Sequence, residues 1–200
     1  MSDSERNHKN KGPLFSGDDD WRSNACVNFA WDEMHLFATG YRQAADLLAD
    51  HVVGAKKHQD TLFWPIVLLY RHYFELQLKG ILRRGYMFLD VEKKVPYIHN
   101  LANLWNRCIR VISQMTDKPT SVTKKDLKLV GDVINELSSV DPTGETFRYP
   151  RSRGGRKPLA RYRVIGMKRL RDKLAEAGDL VDGVSLEISR YLGVKAEIGG

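Results

Sequence analysis

Four polar residues share one face of a strongly apolar segment that runs from Thr61 to Arg84. At about 100° per residue, Arg71, His72, Glu75 and Lys79 fall within roughly a quarter of a helix circumference, and Arg71 can pair with Glu75 at i and i+4. Three interpretations follow: a solvated helix face, a buried ion-pair network, or part of a functional site. All four residues are therefore candidate catalytic or binding residues.

A histidine stands immediately before another predicted helix. His99 precedes Asn100, which is a suitable N-cap for the apolar pattern that begins at Leu101. A histidine in this place can face an anion beside the free amides of the helix start, or it can be structural. His99 is therefore a candidate site residue.

A cluster of aromatic and basic residues, fixed by two prolines, lies in the stretch from Asp141 to Pro150. Arg148 can bind a phosphate or carboxylate in fork geometry, and Phe147 or Tyr149 can stack on a base. Alternatively, the two rings anchor the loop to the bundle, and Arg148 pairs with an acid such as Glu75. The candidates for phosphate binding are Arg148, Tyr149, Arg151, Arg153, Arg156, Lys157, Arg161 and Arg163.

The charge is unevenly distributed. Residues 148–173, here called the basic segment, hold eleven basic residues and one acid, Asp172, and so carry a net charge of +10. The whole chain carries +7, so the remainder is net negative at −3. Such clustering is typical of proteins that bind polyanions, and nucleic acid is the first polyanion to consider.

Length and composition predict one soluble globular domain. Two hundred residues with 42% hydrophobic content suffice for a single core. We expect a disordered arm over residues 1–22, a bundle over 23–195 and a tail over 196–200. The two cysteines are expected to be reduced core residues, and no membrane span, cofactor or metal site is indicated.

The apolar spacing predicts that the elements which position these residues are helices, in an all-α, up-and-down bundle of about five helices. The central one begins near Asp60 or Thr61 and stops at Gly85, and a capping box at Thr123 and Asp126 opens another. Residues 142–165, which lie between the helix opened by this capping box and the last helix, are predicted to form a long loop, here called the basic loop. Within it, residues 161–165 show a weak strand pattern. The other helices are predicted over residues 24–53, from 101 onward, and over 167–192.

Three short patterns together resemble the HEPN superfamily, in particular a poorly characterised bacterial subgroup. They are Arg71 to Lys79, His99-Asn100-Leu101 with Leu104-Trp105, and Phe147 to Pro150. The resemblance covers about residues 24–192 and implies an antiparallel helical bundle, commonly homodimeric, from toxin–antitoxin, phage-defence or RNA-processing systems. Many members are metal-independent endoribonucleases.

The chain departs from the Arg-x(4–6)-His motif of those nucleases. Lys94, Lys93 and Glu92 occupy the positions that an arginine would take before His99. A lysine supplies charge but not a bidentate fork, so the sequence leaves catalysis open.

Three functions fit these features of the sequence. The first is cytoplasmic binding of RNA or another phosphate-bearing ligand. The second is ribonuclease action with His99 as general base and Lys94, Lys79, Arg71 or Arg148 as the cation. The third is docking of an acidic protein partner by the basic loop.

Overall fold

The computed structural model describes residues 13–28, 32–115, 122–152, 154–155 and 157–198. They fall into two compact units, which divide between Trp31 and Asp32. In the first unit, a short 3-10 helix over Trp21–Ser23 is capped by Asp20, whose side chain accepts from the Arg22 amide. The first twelve residues of the predicted arm lie outside the described residues.

The second unit confirms the all-α prediction, with five α-helices and no strand among the residues described here. The expected strand at residues 161–165 is wrong, because this stretch is turn and irregular structure. The basic loop enters α5 only after Gly166. The helices are α1 (Glu33–Ala55), α2 (Gln59–Phe88), α3 (Leu101–Ser113), α4 (Lys124–Val140) and α5 (Met167–Ile198).

The first helix begins nine residues later than its apolar pattern predicts. Asp32 caps α1 by accepting from the His35 amide, and the chain from Asn24 to Asn28 is not helical. Asp32 also pairs with Arg83 and Arg84 of α2, at 2.8 and 3.1 Å. Cys26 is consequently exposed, which corrects the core prediction for it, whereas Cys108 is buried as expected.

Helix α2 lies at the centre and contacts α1, α3 and α5. It starts at Gln59, just before the predicted start near Asp60 or Thr61, and the residue before it, His58, adopts a left-handed conformation (φ 64°). Gly85 does not end it. A Cβ at Gly85 would lie 2.2 Å from Cγ1 of Val111 on α3, so this glycine permits close helix packing instead.

The predicted caps of α3 and α4 are confirmed. Asn100 accepts from the Asn103 amide, and Thr123 and Asp126 form a reciprocal capping box. Helix α5 extends six residues beyond its predicted end, to Ile198. Within the described part of the chain, no helix combines the length and apolar character that crossing a membrane requires.

Candidate functional site

Three of the four polar residues that share a face of α2, Arg71, Glu75 and Lys79, form a buried ion network. Arg71 and Glu75 are only 1% and 3% exposed, and their side chains pair directly. Arg71 also pairs through Nε with Oδ2 of Asp141 at 3.0 Å, and it donates to the backbone carbonyl of His99. A buried arginine needs such partners, because an unpaired charge in the interior is costly.

Glu75 joins the network to the start of α3. Its Oε1 atom accepts from Nζ of Lys79 and contacts Nδ1 of His99, each at 2.8 Å. Burial alone would raise the pKa of Glu75, but the hydrogen bonds from Lys79 and Arg71 outweigh it and hold that pKa below its usual value. Glu75 is therefore a carboxylate at neutral pH.

His99 is the member of this cluster that solvent reaches. Its side chain is 44% exposed, against 11% for Lys79. A carboxylate at Nδ1 favours the tautomer with the hydrogen on that nitrogen, which leaves Nε2 as the free acceptor. The ring of Tyr97 stands edge-on to the imidazole at 5.5 Å, and Lys79 Nζ lies 5.8 Å from the centre of the Tyr97 ring.

Asp141, which opens the aromatic and arginine stretch but was given no role from sequence, ties this network to the basic loop. Its Oδ1 atom accepts from the amides of Gly144 and Thr146 at 2.8 and 3.0 Å. Gly144 adopts φ +84°, and a Cβ there would lie 3.0 Å from Nη2 of Arg71. The signal that could have found it is the Asp-Pro-x-Gly pattern of an Asx turn at residues 141–144.

The aromatic and arginine cluster divides into an anchor and an exposed part. Phe147 is buried and packs against Trp64, with ring centroids 6.4 Å apart. Arg148 and Tyr149 are exposed, and Glu75 takes Arg71 and Lys79 as its partners rather than Arg148. The anchoring interpretation therefore holds for Phe147 alone.

Two catalytic candidates lie apart from this cluster. His72 is half-buried and packs edge-on to Tyr41 of α1 at 4.4 Å. Burial lowers its pKa, and the charges of Arg71 and Arg148 add to that effect against the opposing charge of Glu75. Lys94 is exposed between α2 and α3, and no ion pair found among the described residues includes it.

The basic loop presents its cations to solvent. Arg151 donates to the Gly155 carbonyl at 3.1 Å, and Arg161 lies over the ring of Tyr162 at 4.9 Å. Lys157 and Arg163 are exposed as well. Arg153 and Arg156, which belong to the same prediction, lie outside the described residues.

A second ion network, partly exposed to solvent, joins three helices, and the sequence alone did not predict it. Arg42 of α1 reaches Asp179 and Asp182 of α5 at 2.5 and 2.6 Å, and Tyr73 of α2 donates to Asp182 at 2.7 Å. Burial, together with the charge of Asp182, raises the pKa of Tyr73. This network links α1, α2 and α5, and its members lie too far apart in sequence to be paired by any local pattern.

Neither network is a metal site. Among the residues that the structure describes, no group of three or more His, Cys, Asp or Glu side chains is arranged to hold a metal ion.

Comparisons of the chain with protein-family models, curated proteins and solved structures find no match.

Proposed function

We propose that this is a HEPN-like helical protein that binds RNA or another phosphate-bearing ligand through the basic loop. The observation that carries the proposal is the contrast in charge pairing. The arginines of α1 and α2 at residues 42, 71, 83 and 84 all pair with acids, whereas none of the described ion pairs involves the cations of the basic loop. Those cations are Arg148, Arg151, Lys157, Arg161 and Arg163, all exposed.

Unpaired, exposed cations in one segment attract a polyanion with little desolvation penalty. Arg148 and Tyr149 are placed together by the buried anchor Phe147, and this gives the loop one fixed point on the bundle. The proposal also includes a homodimer and a role in bacterial defence, in a toxin–antitoxin pair or in phage conflict. Both of these rest on the resemblance alone.

Binding of single-stranded RNA measured against salt concentration tests the proposal. We expect log affinity to fall with log salt by about 0.7 per phosphate contact. The variant Arg148→Gln with Arg151→Gln should weaken binding and flatten this slope by up to about 1.4, since two contacts are removed.

The matched control is Arg110→Gln with Lys128→Gln, which removes the same charge from α3 and α4, where both residues are exposed. Equal weakening by both pairs would reduce the effect to net charge and contradict the assignment to the loop. Absence of RNA binding at low salt would favour the acidic protein partner, which would then copurify as a stoichiometric complex after nuclease treatment.

A second function, metal-independent RNA cleavage, is favoured by one contact. The hydrogen bond between Nδ1 of His99 and buried Glu75 orients the imidazole of this partly exposed side chain and leaves Nε2 as the acceptor that a general base requires. Lys79 donates to the same oxygen of Glu75 that contacts His99. It could stabilise charge on a phosphate next to His99.

Cleavage is tested with end-labelled RNA in EDTA. We expect products with 2′,3′-cyclic phosphate ends, and we expect His99→Ala to abolish them while His35→Ala, an exposed histidine of α1, does not. Cleavage that survives His99→Ala would eliminate this function. Binding without cleavage would leave the first proposal as it stands.

A further inference from the structure

A cleft of about 830 Å³ lies where the end of α1, the start of α2, the basic loop and the first turn of α5 meet. Its volume is within the range of small-ligand sites. Val52, Phe63 and Met167 contribute apolar surface to its walls, and none of the candidate catalytic residues lines it. The cleft is therefore a separate feature from the His99 cluster.

An aromatic ring with a fixed orientation lies in this cleft. Trp64 stands edge-on to Phe63, with centroids 5.0 Å apart, and is tilted against the buried ring of Phe147. Even so, 37% of Trp64 remains exposed. Tyr162, on the loop side, is 40% exposed. An indole held on one side and open on the other is a platform on which a planar base can stack.

Positive charge surrounds these rings. Lys56, Arg163 and Lys168 line the cleft, with Asp60 as the opposing charge. Lys168 shares its charge with Asp172 at 2.6 Å, whereas Arg163 takes part in none of the described ion pairs. Leu159 lines the same wall with φ +54°, an uncommon conformation for a residue with a side chain.

We propose that this cleft is a base-stacking subsite for unpaired nucleotides of a single-stranded polynucleotide, with Trp64 as the stacking ring and Arg163 and Lys168 as phosphate contacts. Apolar walls suit the base, and the cations suit the phosphates on either side of it. A duplex keeps its bases stacked on one another, so it can reach the cations but not the indole. The inference rests on the proposed function and assigns its substrate class.

Trp64 is tested by two substitutions. Trp64→Leu removes the ring and should weaken binding of a fluorescein-labelled single-stranded RNA about 10-fold, with the salt slope unchanged because the phosphate contacts remain. Trp64→Phe keeps a smaller ring and should lose no more than about 3-fold. Phe37→Leu is the control, because it removes an exposed ring of α1 that does not line the cleft.

A second readout does not depend on the fold of the leucine variant. The tryptophan fluorescence of wild type minus that of Trp64→Phe isolates the emission of Trp64, and unlabelled single-stranded RNA should quench it. A duplex of the same sequence should bind more weakly and leave this emission unchanged.

The two proposals fail in different ways. Unchanged affinity in Trp64→Leu, or equal quenching by duplex and single strand, overturns the stacking subsite while salt-dependent binding through the loop stands. Absence of RNA binding by the wild-type protein at low salt overturns both.

Discussion

The α2 network and the basic loop use the same side chain, arginine, for opposite purposes. Arg71 is 1% exposed, pairs with Glu75 and Asp141, and donates to the carbonyl of His99. Its charge is therefore neutralised within the protein. Arg163 of the basic loop is exposed and forms none of the described ion pairs. Charge alone does not identify a binding residue; burial and pairing decide it.

The two regions are joined by one short turn. Asp141 receives Arg71 on one oxygen and the amides of Gly144 and Thr146 on the other. The network therefore fixes where the basic loop leaves α4. We expect substitutions in the network to lower the free energy of unfolding, and substitutions in the loop to alter ligand affinity instead.

The largest expected effect comes from Arg71→Met. It leaves the carboxylates of Glu75 and Asp141 buried without their shared cation, and removal of one partner from such a network costs about 3–5 kcal/mol. Urea unfolding followed by circular dichroism measures the change. Arg110→Met, at an exposed position on α3, is the control and should stay within about 0.5 kcal/mol. A loss below about 1 kcal/mol for Arg71→Met would contradict the structural role.

Gly144→Ala should cause the second largest loss in the free energy of unfolding. The left-handed φ of +84° costs an alanine about 1–2 kcal/mol, and its Cβ would also press on Nη2 of Arg71. Gly155→Ala meets a similar φ of +75° with open space around it, so it isolates the backbone term. Unfolding free energies of the two variants should differ, with Gly144→Ala the less stable. Equal losses would mean that the guanidinium moves aside freely.

The pH dependence of the free energy of unfolding should show separate contributions from the side chains of Glu75 and His72, both on α2. The lowered pKa of Glu75 means that its contribution is complete above about 4.5, its ordinary value, and is lost as the pH falls through the lowered one. The lowered pKa of His72 makes the unfolded state take up a proton first below pH 6.5, so stability also falls there with falling pH.

His72→Phe keeps a ring against Tyr41 and removes the proton, so the decline just below pH 6.5 should flatten while the acid limb remains. Unfolding free energies measured across this range test it. A profile identical to that of the wild type would show that His72 titrates alike in both states.

The smallest effect on stability is expected in the basic loop. Arg148→Gln removes an exposed charge with no described acid partner, so the free energy of unfolding should change by no more than about 0.5 kcal/mol. The same variant should weaken RNA binding. A stability loss above about 1 kcal/mol would instead make Arg148 part of the scaffold and erase the contrast between the two regions.

Much of the fold follows from local pattern. The apolar spacing of α2, the cap at Asn100 and the capping box at Thr123 depend on residues within one turn of each other, and all three are present in the structure. The start of α1 could not be predicted in this way. Its apolar spacing extends upstream, but Asp32 is fixed by Arg83 and Arg84 of a different helix.

The candidate site was only half predictable for the same reason. The sequence by itself determined that Arg71 and Glu75 share a helix face and that His99 adjoins a helix start, because i to i+4 geometry is local. Only the tertiary structure decided that Asp141 completes the network and that His99 turns Nδ1 to Glu75. It also decided that Trp64 and Arg163 line one cleft. Those contacts join segments distant in the chain, and their partners are chosen by packing rather than by spacing.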